Sequence, residues 1–301
     1  MKKNVTFKNR SIDMAGNLYL PEGFSEDKKY AAIVCVHPGS SVKEQTAGIY
    51  AGKLAEHGFV TLAFDASYQG ESGGEPRYIE EPAARVEDVR SAVDYLTTLD
   101  FVDAERIGIL GICAGGGYAV NAAMTEHRIK AVGTVVAANI GRVYRENNPI
   151  GTLEAVGKQR TAEANGAEPM IVNWTPCSQE EREKMGITDI DIVEAVDYYR
   201  TPRGEYPTSP NKLRFVSMAS ILAFDAFHLV EQLLTQPLQI ITGEKLGAFG
   251  SYHDGQELYR RATCEKDLLV IKGASHYDLY DIPQYVNQAV DKLVEFYGKH
   301  L

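Results

Sequence analysis

The sequence predicts an α/β fold in which a mostly parallel sheet is covered by helices on both faces. From residue 31 onward, short continuous apolar runs alternate with amphipathic stretches of helix length. Continuous apolar runs are typical of strands buried on both faces, and their alternation with helices is typical of parallel sheets. The six predicted strands are Ala31–Val36, Val60–Asp65, Arg106–Ile112, Ile129–Ala137, Leu238–Thr242 and Leu268–Lys272.

Five helices are predicted between and after these strands. Pro82 and Pro283 suit the first turn of a helix, where the missing N–H has no helical partner to lose. The predicted helices cover Gln45–His57, Pro82–Leu99, Gly115–Met124, Gly255–Ala262 and Pro283–Tyr297. Ahead of the first buried strand, Val5–Phe7 and Asn17–Leu20 are expected to form an antiparallel pair with Gly16 in its turn.

The strand–helix alternation breaks between Asn139 and Gln236, where polar, Pro-containing and helical segments replace it. We interpret residues 139–236 as a lid or cap inserted into one α/β core, which residues 1–138 and 237–301 form. Amphipathic aromatic side chains suit the wall of a pocket, and they suit the insertion's own small core equally well. The aromatic residues of this insertion are Trp174, Tyr198, Tyr199, Tyr206, Phe215, Phe224, Phe227 and His228.

The composition is that of a globular protein with a sizeable core, since 44% of the 301 residues are hydrophobic and 24% are charged. The formal net charge of −10 argues against a nucleic-acid partner, because phosphate backbones are bound by clustered Lys and Arg. No segment resembles a signal peptide or a membrane span, so a cytoplasmic location without a membrane partner is expected. The cysteines form no C-x-x-C pair, which disfavours disulfides and structural zinc; they are Cys35, Cys113, Cys177 and Cys264.

The segment Gly111-Ile112-Cys113-Ala114-Gly115 follows a predicted strand and begins a predicted helix. This is the pattern of a nucleophile elbow with cysteine in the place of serine. Glycine is needed on both sides because larger side chains would collide with the adjacent strand and helix. The elbow would raise the Cys113 thiol above the strand end and direct the Ala114 N–H towards a developing oxyanion. Free cysteines are often simply buried, but the flanking Gly111 and Gly115 favour a nucleophile here.

A general base is expected at His276, on the loop between the last predicted strand and the final predicted helix. Neutral imidazole would take the thiol proton, and the imidazolium formed would lower the pKa of Cys113. Glu244 is the first candidate for the acid that orients this base, and Asp254 is the second. A Cys–His dyad without an acid also stays open, because a thiol ionises more easily than an alcohol.

A second oxyanion donor is expected on the turn His37-Pro38-Gly39-Ser40, directly after the first buried strand. Because Pro38 has no N–H, the N–H of Gly39 or Ser40 is the candidate donor. The alternative interpretation is an ordinary strand-to-helix turn. No metal, flavin or nucleotide motif is present, so no cofactor is predicted.

Together these motifs resemble the α/β-hydrolase superfamily, in particular its dienelactone-hydrolase-like branch with a cysteine nucleophile. The resemblance covers roughly residues 1 to 138 and 237 to 301, and it includes the loop Gly273-Ala274-Ser275-His276. It implies an α/β-hydrolase fold, with a mostly parallel central sheet flanked by helices; the helical lid insertion is expected from residues 139–236 themselves, since dienelactone hydrolases are smaller and lack it. Asp65–Ser72 is similar to the D-x-x-x-x-G-x-S turn of the cocaine-esterase and X-prolyl peptidase group, which implies a structural role for Asp65.

The predicted function is hydrolysis of small carboxylic esters, thioesters or lactones through an acyl-cysteine at Cys113. Acyl transfer through the same Cys–His site and non-catalytic ligand binding are the alternatives. A redox role is disfavoured because no resolving cysteine lies nearby in the sequence. The expected partner is a small-molecule acyl substrate, and a homodimer is one expectation for the oligomeric state.

Overall fold

Eight strands form the central sheet of the computed structural model, which describes residues 1–301. In spatial order they are β1 (Lys2–Asn9), β2 (Ile12–Tyr19), β4 (Val60–Phe64), β3 (Tyr30–Val36), β5 (Val102–Ile112), β6 (Ile129–Val135), β9 (Leu238–Gly243) and β10 (Lys266–Ile271). The six strands from β4 to β10 run parallel, whereas β1 and β2 pair antiparallel with each other and β2 pairs antiparallel with β4. The predicted mostly parallel sheet is therefore confirmed.

Helices cover both faces of this sheet. The helices outside residues 139–236 are α1 (Thr46–Glu56), α2 (Pro82–Thr97), α3 (Ala114–Ala123), α10 (Ser251–Arg261), α11 (Asp278–Asp281) and α12 (Pro283–His300). Neighbouring strand residues point to opposite faces, so Val34 packs in one buried cluster with α2 and α3, and Ile33 in another with α1 and α12. This two-sided burial explains why the central strands have continuous apolar sequences.

The N-terminal strand pair differs in detail from the prediction. Its two strands are joined by a two-residue turn at Arg10 and Ser11, and Gly16 lies within β2 opposite Val5 rather than in the turn. A Cβ on Gly16 would lie 3.0 Å from the Leu62 side chain, so close packing against the sheet accounts for this glycine.

Residues 139–236, which we call the cap, connect β6 to β9. The cap contains α4 (Ile140–Arg145), α5 (Pro149–Ala164), α6 (Gln179–Lys184), α7 (Ile190–Arg200), α8 (Met218–Ala223) and α9 (Val230–Leu233), with a 3-10 turn at Phe215–Ser217. It also contains a short antiparallel ribbon of β7 (Ile171–Val172) and β8 (Leu213–Arg214). None of the helices in the chain combines the length and the apolar character needed to span a membrane.

Ion pairs attach the cap to the rest of the chain. The Arg142 guanidinium in α4 donates from Nε to Asp254 Oδ1 at 2.6 Å, and the Asp254 side chain is only 1% exposed. Arg203, just after α7, donates to Asp281 at 2.7 Å in a partly buried pair. Removing Arg142 would leave the buried Asp254 charge uncompensated, so this contact favours the attached position of the cap.

Candidate active site

The turn between β5 and α3 has the geometry of a nucleophile elbow. Cys113 has φ 55° and ψ −127°, a backbone conformation that non-glycine residues rarely adopt. A Cβ on Gly111 would collide with the Gly115 carbonyl, and a Cβ on Gly115 would collide with the carbonyls of Val36 and His37. The two flanking glycines are thus required by close backbone approach, as the sequence pattern indicates.

Backbone hydrogen bonds hold this strained turn in place. The Cys113 N–H donates to Val135 O at 3.0 Å, while the Cys113 carbonyl accepts from the N–H groups of Gly116 and Ala138, both at 2.9 Å. Backbone strain of this kind costs about 1–3 kcal/mol and persists only where surrounding contacts determine it. The elbow is therefore a fixed support for the Cys113 thiol.

Gly39 and Ser40 lie beside Cys113, on the turn after β3. Neither of their N–H groups has a hydrogen-bond partner within the protein, so both are free to donate to a bound oxyanion. The turn is fixed from the cap, because the Ser209 hydroxyl donates to the Ser40 carbonyl at 2.6 Å. The structure thus brings Gly39, Ser40 and Ala114 together around the Cys113 thiol.

His37 is buried beneath this turn, and its imidazole supports the turn through hydrogen bonds. Its Nδ1–H donates to the Pro38 carbonyl at 2.6 Å, and its Nε2 accepts from the Ala66 N–H at 3.1 Å. Burial, together with the positive charge of Arg85, lowers the pKa of His37 well below its ordinary value. His37 is consequently a neutral structural residue.

The Asp65 carboxylate organises the neighbouring turn in the same way. It is fully buried, accepts from the Lys43 N–H and the Glu71 N–H at 2.8 Å each, and pairs with Lys43 Nζ at 2.9 Å. All of these partners lie on the turns next to Asp65. These contacts fit the structural role expected for Asp65.

His276 lies on the loop between β10 and α11 and is 2% exposed. Its Nδ1 is 3.0 Å from the Ser251 hydroxyl oxygen, and its Nε2 is 3.2 Å from the Tyr280 hydroxyl oxygen. Burial lowers the pKa of His276 to about 3, so the imidazole is neutral at pH 7. No direct hydrogen bond joins His276 to Cys113, because the imidazole is bonded to the Tyr280 hydroxyl instead.

The expected lowering of the Cys113 pKa is not found. Burial raises the pKa of this thiol to about 11, and hydrogen bonding from the Tyr280 hydroxyl and the Ala114 N–H opposes the rise only in part. A preformed thiolate–imidazolium pair would need a charged imidazole close to the sulfur. His276 is neutral and bonded to Tyr280 instead, so the site holds a thiol and a neutral base.

Neither candidate acid is bonded to His276. The exposed Glu244 accepts from the Gly273 N–H at 2.8 Å, and this contact ties the loop after β9 to the loop after β10. Asp254 accepts from the Asn139 N–H at 2.7 Å and pairs with Arg142 of the cap. The position beside His276 Nδ1 is filled by Ser251, a neutral hydroxyl, so no acid orients His276, and the direct Cys113–His276 hydrogen bond expected of a dyad is not formed either.

Sequence reasoning missed Tyr280 and Ser251. Tyr280 follows His276 by four residues, a spacing that places two side chains on the same face of a helix, and this signal could have identified it. Ser251 begins α10, and its approach to His276 comes from the packing of distant segments. No sequence pattern indicates that contact.

A cavity of about 270 Å³ lies above Cys113. No charged side chain lines it, and most of its wall is apolar or aromatic. The side chains of the core and its loops in the wall are those of Cys113, Ala114, Ala138, Ala248, Phe249, Tyr277 and Tyr280, with Gly39 and Ser40 beside them; the cap supplies Ile140, Val143, Tyr144, Asn147, Trp174, Thr175, Ile192 and Tyr199. Trp174 is thus a wall residue, and Tyr199 lines the wall while also belonging to the buried core; Tyr198 and Phe227 belong to the buried core alone.

No group of three or more His, Cys, Asp or Glu side chains in the chain has the arrangement of a metal site. The chemistry-bearing groups that converge on the cavity are the Cys113 thiol, backbone N–H groups and the Tyr280 hydroxyl. Such a set can form and stabilise a tetrahedral oxyanion at a carbonyl carbon.

A mostly parallel sheet, an elbow after β5 and a histidine after the last strand define an α/β hydrolase. Residues 4–167 match the PET hydrolase-like family, and the chain belongs to this family. The uncharacterized protein YcjY of Escherichia coli is 44% identical over 313 aligned residues, which cover 100% of both proteins. The crystal structure of the hypothetical protein PA2218 of Pseudomonas aeruginosa has a TM-score of 0.90 and 35% identity, covering 100% of this chain and 94% of that one.

More distant proteins extend this picture. The dienelactone hydrolase of Anabaena variabilis shares the fold, with a TM-score of 0.56 and 15% identity over 100% of this chain and 98% of that one. Thiohydrolase aneE of Aspergillus aculeatus is 30% identical over 54% of this chain and 51% of its own length. Acyltransferase drtE of Aspergillus calidoustus is 24% identical over 92% of this chain and 89% of its own length. Fold and family together make the chain an esterase-like α/β hydrolase.

Proposed function

We propose that this protein hydrolyses small uncharged carboxylic esters, thioesters or lactones through an acyl-cysteine at Cys113. One observation carries the proposal: a thiol on a strained elbow lines an apolar cavity, next to two backbone N–H groups without partners. Backbone N–H groups that are free to donate and line the same cavity as a nucleophile are the feature that can stabilise a tetrahedral oxyanion. A buried structural cysteine would need neither the strain nor the free donors.

The reaction proceeds in two steps. Cys113 Sγ forms a bond to the substrate carbonyl carbon, its proton passes to His276, and the N–H groups of Ala114 and of Gly39 or Ser40 hold the oxyanion. The carbonyl then reforms, the C–O or C–S bond to the leaving group breaks, and His276 returns the proton to that group. Water repeats the sequence on the acyl-cysteine, which releases the acid and restores the thiol.

The cavity favours an uncharged acyl group. Placing a carboxylate there would remove it from water with no Lys or Arg side chain in the wall to pair with it. Dienelactones carry a carboxylate, so this cavity wall disfavours the binding of a dienelactone substrate. The aromatic side chains of Trp174, Phe249 and Tyr277 offer contact surface to an aliphatic or aromatic acyl chain instead.

Acyl transfer is a second candidate, and one observation favours it. His276 has a pKa lowered to about 3 and Ser251 rather than a carboxylate beside it, so it is a weak base for activating water. An amine or thiol acceptor is a stronger nucleophile than water and needs less help from the base. The thiohydrolase and acyltransferase names of the two distant relatives are consistent with either outcome.

Intact-protein mass spectrometry tests the proposal. The protein is mixed with p-nitrophenyl esters and acyl thioesters of increasing chain length, and the acyl adduct and the released nitrophenol or thiol are followed in time. Wild type is compared with Cys113→Ala and His276→Ala, and with Cys177→Ala, which removes an exposed thiol that esters can acylate without catalysis. We expect a transient adduct that Cys113→Ala abolishes and Cys177→Ala retains.

Added hydroxylamine or a small thiol separates hydrolysis from transfer. Acceleration of adduct decay in the folded protein beyond the acceleration of the same adduct after denaturation identifies an acyltransferase, whereas acceleration no greater than in the denatured protein identifies a hydrolase. If the folded wild type forms no adduct and releases no product faster than Cys113→Ala, the catalytic proposal is wrong. In that case, binding of the same esters detected by thermal shift would identify the non-catalytic ligand-binding alternative.

A further inference from the structure

We propose that the Tyr280 hydroxyl carries the proton between Cys113 and His276, an inference that rests on the acyl-cysteine function proposed above. The distance from Tyr280 Oη to His276 Nε2 is 3.2 Å. The Tyr280 side chain also lines the cavity together with Cys113, and its hydroxyl lowers the pKa of the Cys113 thiol. Tyr280 is therefore bonded to the base and shares the cavity with the nucleophile, whereas no hydrogen bond joins the nucleophile to the base directly.

The placement of the three side chains supports this route. Cys113 and Tyr280 both line the cavity, whereas His276 lies behind its wall. The fully buried Tyr280 ring is packed against Tyr198, with ring centroids 5.1 Å apart, and against Tyr277 at 4.5 Å. Its backbone is held as well, because Thr46 Oγ1 donates to the Tyr280 carbonyl at 3.1 Å. This packing fixes the position of the hydroxyl beside His276 Nε2.

In this proton transfer, the bonds broken and formed balance without the formation of a charged tyrosine. The S–H bond of Cys113 breaks as an O–H bond forms on Tyr280, while the original Tyr280 O–H bond breaks and an N–H bond forms at His276 Nε2. The sulfur electron pair goes to the substrate carbonyl carbon, and Tyr280 is again a neutral phenol at the end. Burial and the nearby Cys113 and Tyr199 raise the pKa of Tyr280 well above its ordinary value, which disfavours a separate tyrosinate step. The two protons therefore move together.

The orientation of His276 fits this direction of transfer. With Nε2 accepting from Tyr280, the other ring nitrogen carries hydrogen and donates to the Ser251 hydroxyl. The imidazole thus presents its lone pair to Tyr280. A direct transfer from Cys113 would require Tyr280 to leave the position that its neighbours fix.

The test compares acylation rates of wild type, Tyr280→Phe, His276→Ala and the double variant, measured by quenched intact-protein mass spectrometry with one p-nitrophenyl ester. We expect each single variant to lose about 10²–10⁴-fold, the usual contribution of positioned proton transfer, and the double variant to lose no more. Tyr198→Phe is the matched control, because Tyr198 belongs to the same buried tyrosine cluster but does not line the cavity. It is expected to retain the wild-type rate.

A solvent isotope measurement distinguishes proton transfer from a merely structural role. In mixtures of H₂O and D₂O, a curved dependence of the wild-type acylation rate on deuterium content is expected, because two protons move in one step. Tyr280→Phe should remove the curvature. Wild-type acylation by a folded Tyr280→Phe variant, or losses that multiply in the double variant, would overturn the proposed route.

Alkylation of Cys113 by iodoacetamide tests the proposed proton route independently of the proposed hydrolase function. This reaction requires removal of the thiol proton but no oxyanion hole and no ester substrate. Slower alkylation in both Tyr280→Phe and His276→Ala, without additivity, supports the route even if no ester acylates the wild type. Alkylation at the wild-type rate in Tyr280→Phe contradicts it even if esters are turned over.

Discussion

Cys113 and His276 are both neutral at pH 7 because burial disfavours the charged form of each. The pKa of Cys113 is raised to about 11 and that of His276 is lowered to about 3. A thiolate–imidazolium pair is then scarcely populated before substrate binds. The proton must leave the sulfur as the carbonyl is attacked, which distinguishes this site from cysteine enzymes that hold a preformed thiolate.

This protonation state predicts a flat pH profile. A base works in its neutral form, and a pKa lowered to about 3 keeps His276 neutral throughout the range from about pH 5 to 9. The thiol is protonated over the same range because its pKa is about 11. We therefore expect the acylation rate to be constant within about twofold from pH 5 to 9, after subtraction of the Cys113→Ala background. A fall in rate with an apparent pKa near 6.5 would show that His276 is an ordinary exposed imidazole.

Replacing Ser251 by Asp should strengthen the base. A carboxylate 3.0 Å from Nδ1, in the place of the present hydroxyl, would favour the imidazolium and raise the pKa of His276 by about 1 to 3. Residue 251 begins α10, where a negative charge also suits the helix N-terminus. NMR titration of the imidazole measures the pKa, and acylation is expected to accelerate with it.

Ser251→Asn is the control for this change, because it alters size and hydrogen bonding without adding charge. It should leave the pKa of His276 low and should not accelerate acylation. If Ser251→Asp and Ser251→Asn behave alike, the charge of the orienting residue does not govern the strength of the base.

The positions of some site residues follow from local sequence, while others depend on tertiary packing. Cys113 and Ala114 could be placed because glycine spacing at a strand–helix junction is a local pattern with a steric cause. Tyr280 has a weaker local signal, its four-residue spacing from His276, whereas Ser251 could not be placed, since it reaches His276 only through the packing of distant segments. The preference for Glu244 assumed a fixed distance from the end of β9, but its side chain binds the Gly273 N–H instead.

At the scale of elements, glycine-to-alanine changes in the elbow and in α5 are expected to have opposite effects on the free energy of unfolding. Gly115→Ala would press a methyl group against the carbonyls of Val36 and His37, so β3 or α3 must shift. We expect a loss of about 1–3 kcal/mol in the free energy of unfolding, together with slower acylation as the oxyanion turn moves. Gly157→Ala in the exposed face of α5 meets no atom within 4 Å and should gain about 0.5–1 kcal/mol. Urea denaturation measures both, and equal effects would refute the steric account of the elbow.

The start of α7 clamps the loop after β9, which supplies Ala248 and Phe249 to the cavity wall. Asp189 accepts from the Ala248 N–H at 3.1 Å, and Asp191 accepts from the Phe249 N–H at 2.8 Å. Burial, together with the negative charges of Asp189 and Glu194, raises the pKa of Asp191 to about 7, although the hydrogen bond from the Phe249 N–H opposes the rise. The clamp is therefore sensitive to pH.

Asp191→Asn should remove this sensitivity. The folded-state pKa lies above the ordinary value of 3.8, so the stabilising contribution of protonated Asp191 is complete below about pH 4 and is lost as pH rises through about 7. Asn resembles the protonated acid and keeps an acceptor for the Phe249 N–H. We expect the variant to be more stable than wild type at pH 8.5, by at most about 4 kcal/mol, and to differ less at pH 5.5. Urea denaturation at the two pH values is the measurement, and an unchanged difference would contradict the proposed titration.

The predictable elements are those with strong local periodicity. All six buried strands and the five predicted helices are present, with ends that shift where polar residues hide the periodicity. The helix predicted at Gly255–Ala262 begins at Ser251 in the structure. The prediction began too late because the first turn of this helix is mostly polar and gives no apolar signal. The two-residue strands β7 and β8 are too short to leave a pattern.

For the whole molecule, the binding cavity is a product of the topology. Its wall combines the segments after β3, β5, β6, β9 and β10 with three separate parts of the cap, so its shape and volume could not be predicted from one segment. The electrostatic character of the cavity depends both on the net charge of the whole chain and on the side chains of the cavity wall. The chain has a net charge of −10, and its cavity has no charged side chain in the wall.

These two properties predict discrimination between acyl chains of equal length. The p-nitrophenyl esters of valeric acid and of glutaric acid, the latter as its monoester, differ by a terminal carboxylate. Burying that carboxylate without a partner costs several kcal/mol, so kcat/KM for the glutarate ester should be at least about 100-fold lower. Raising the salt concentration from about 0.01 M to 0.5 M screens the negative field of the protein and should recover only a few-fold of this loss. Valerate should show no salt dependence, and equal kcat/KM values at low salt would mean that a cation reaches the cavity from a side chain outside the present wall.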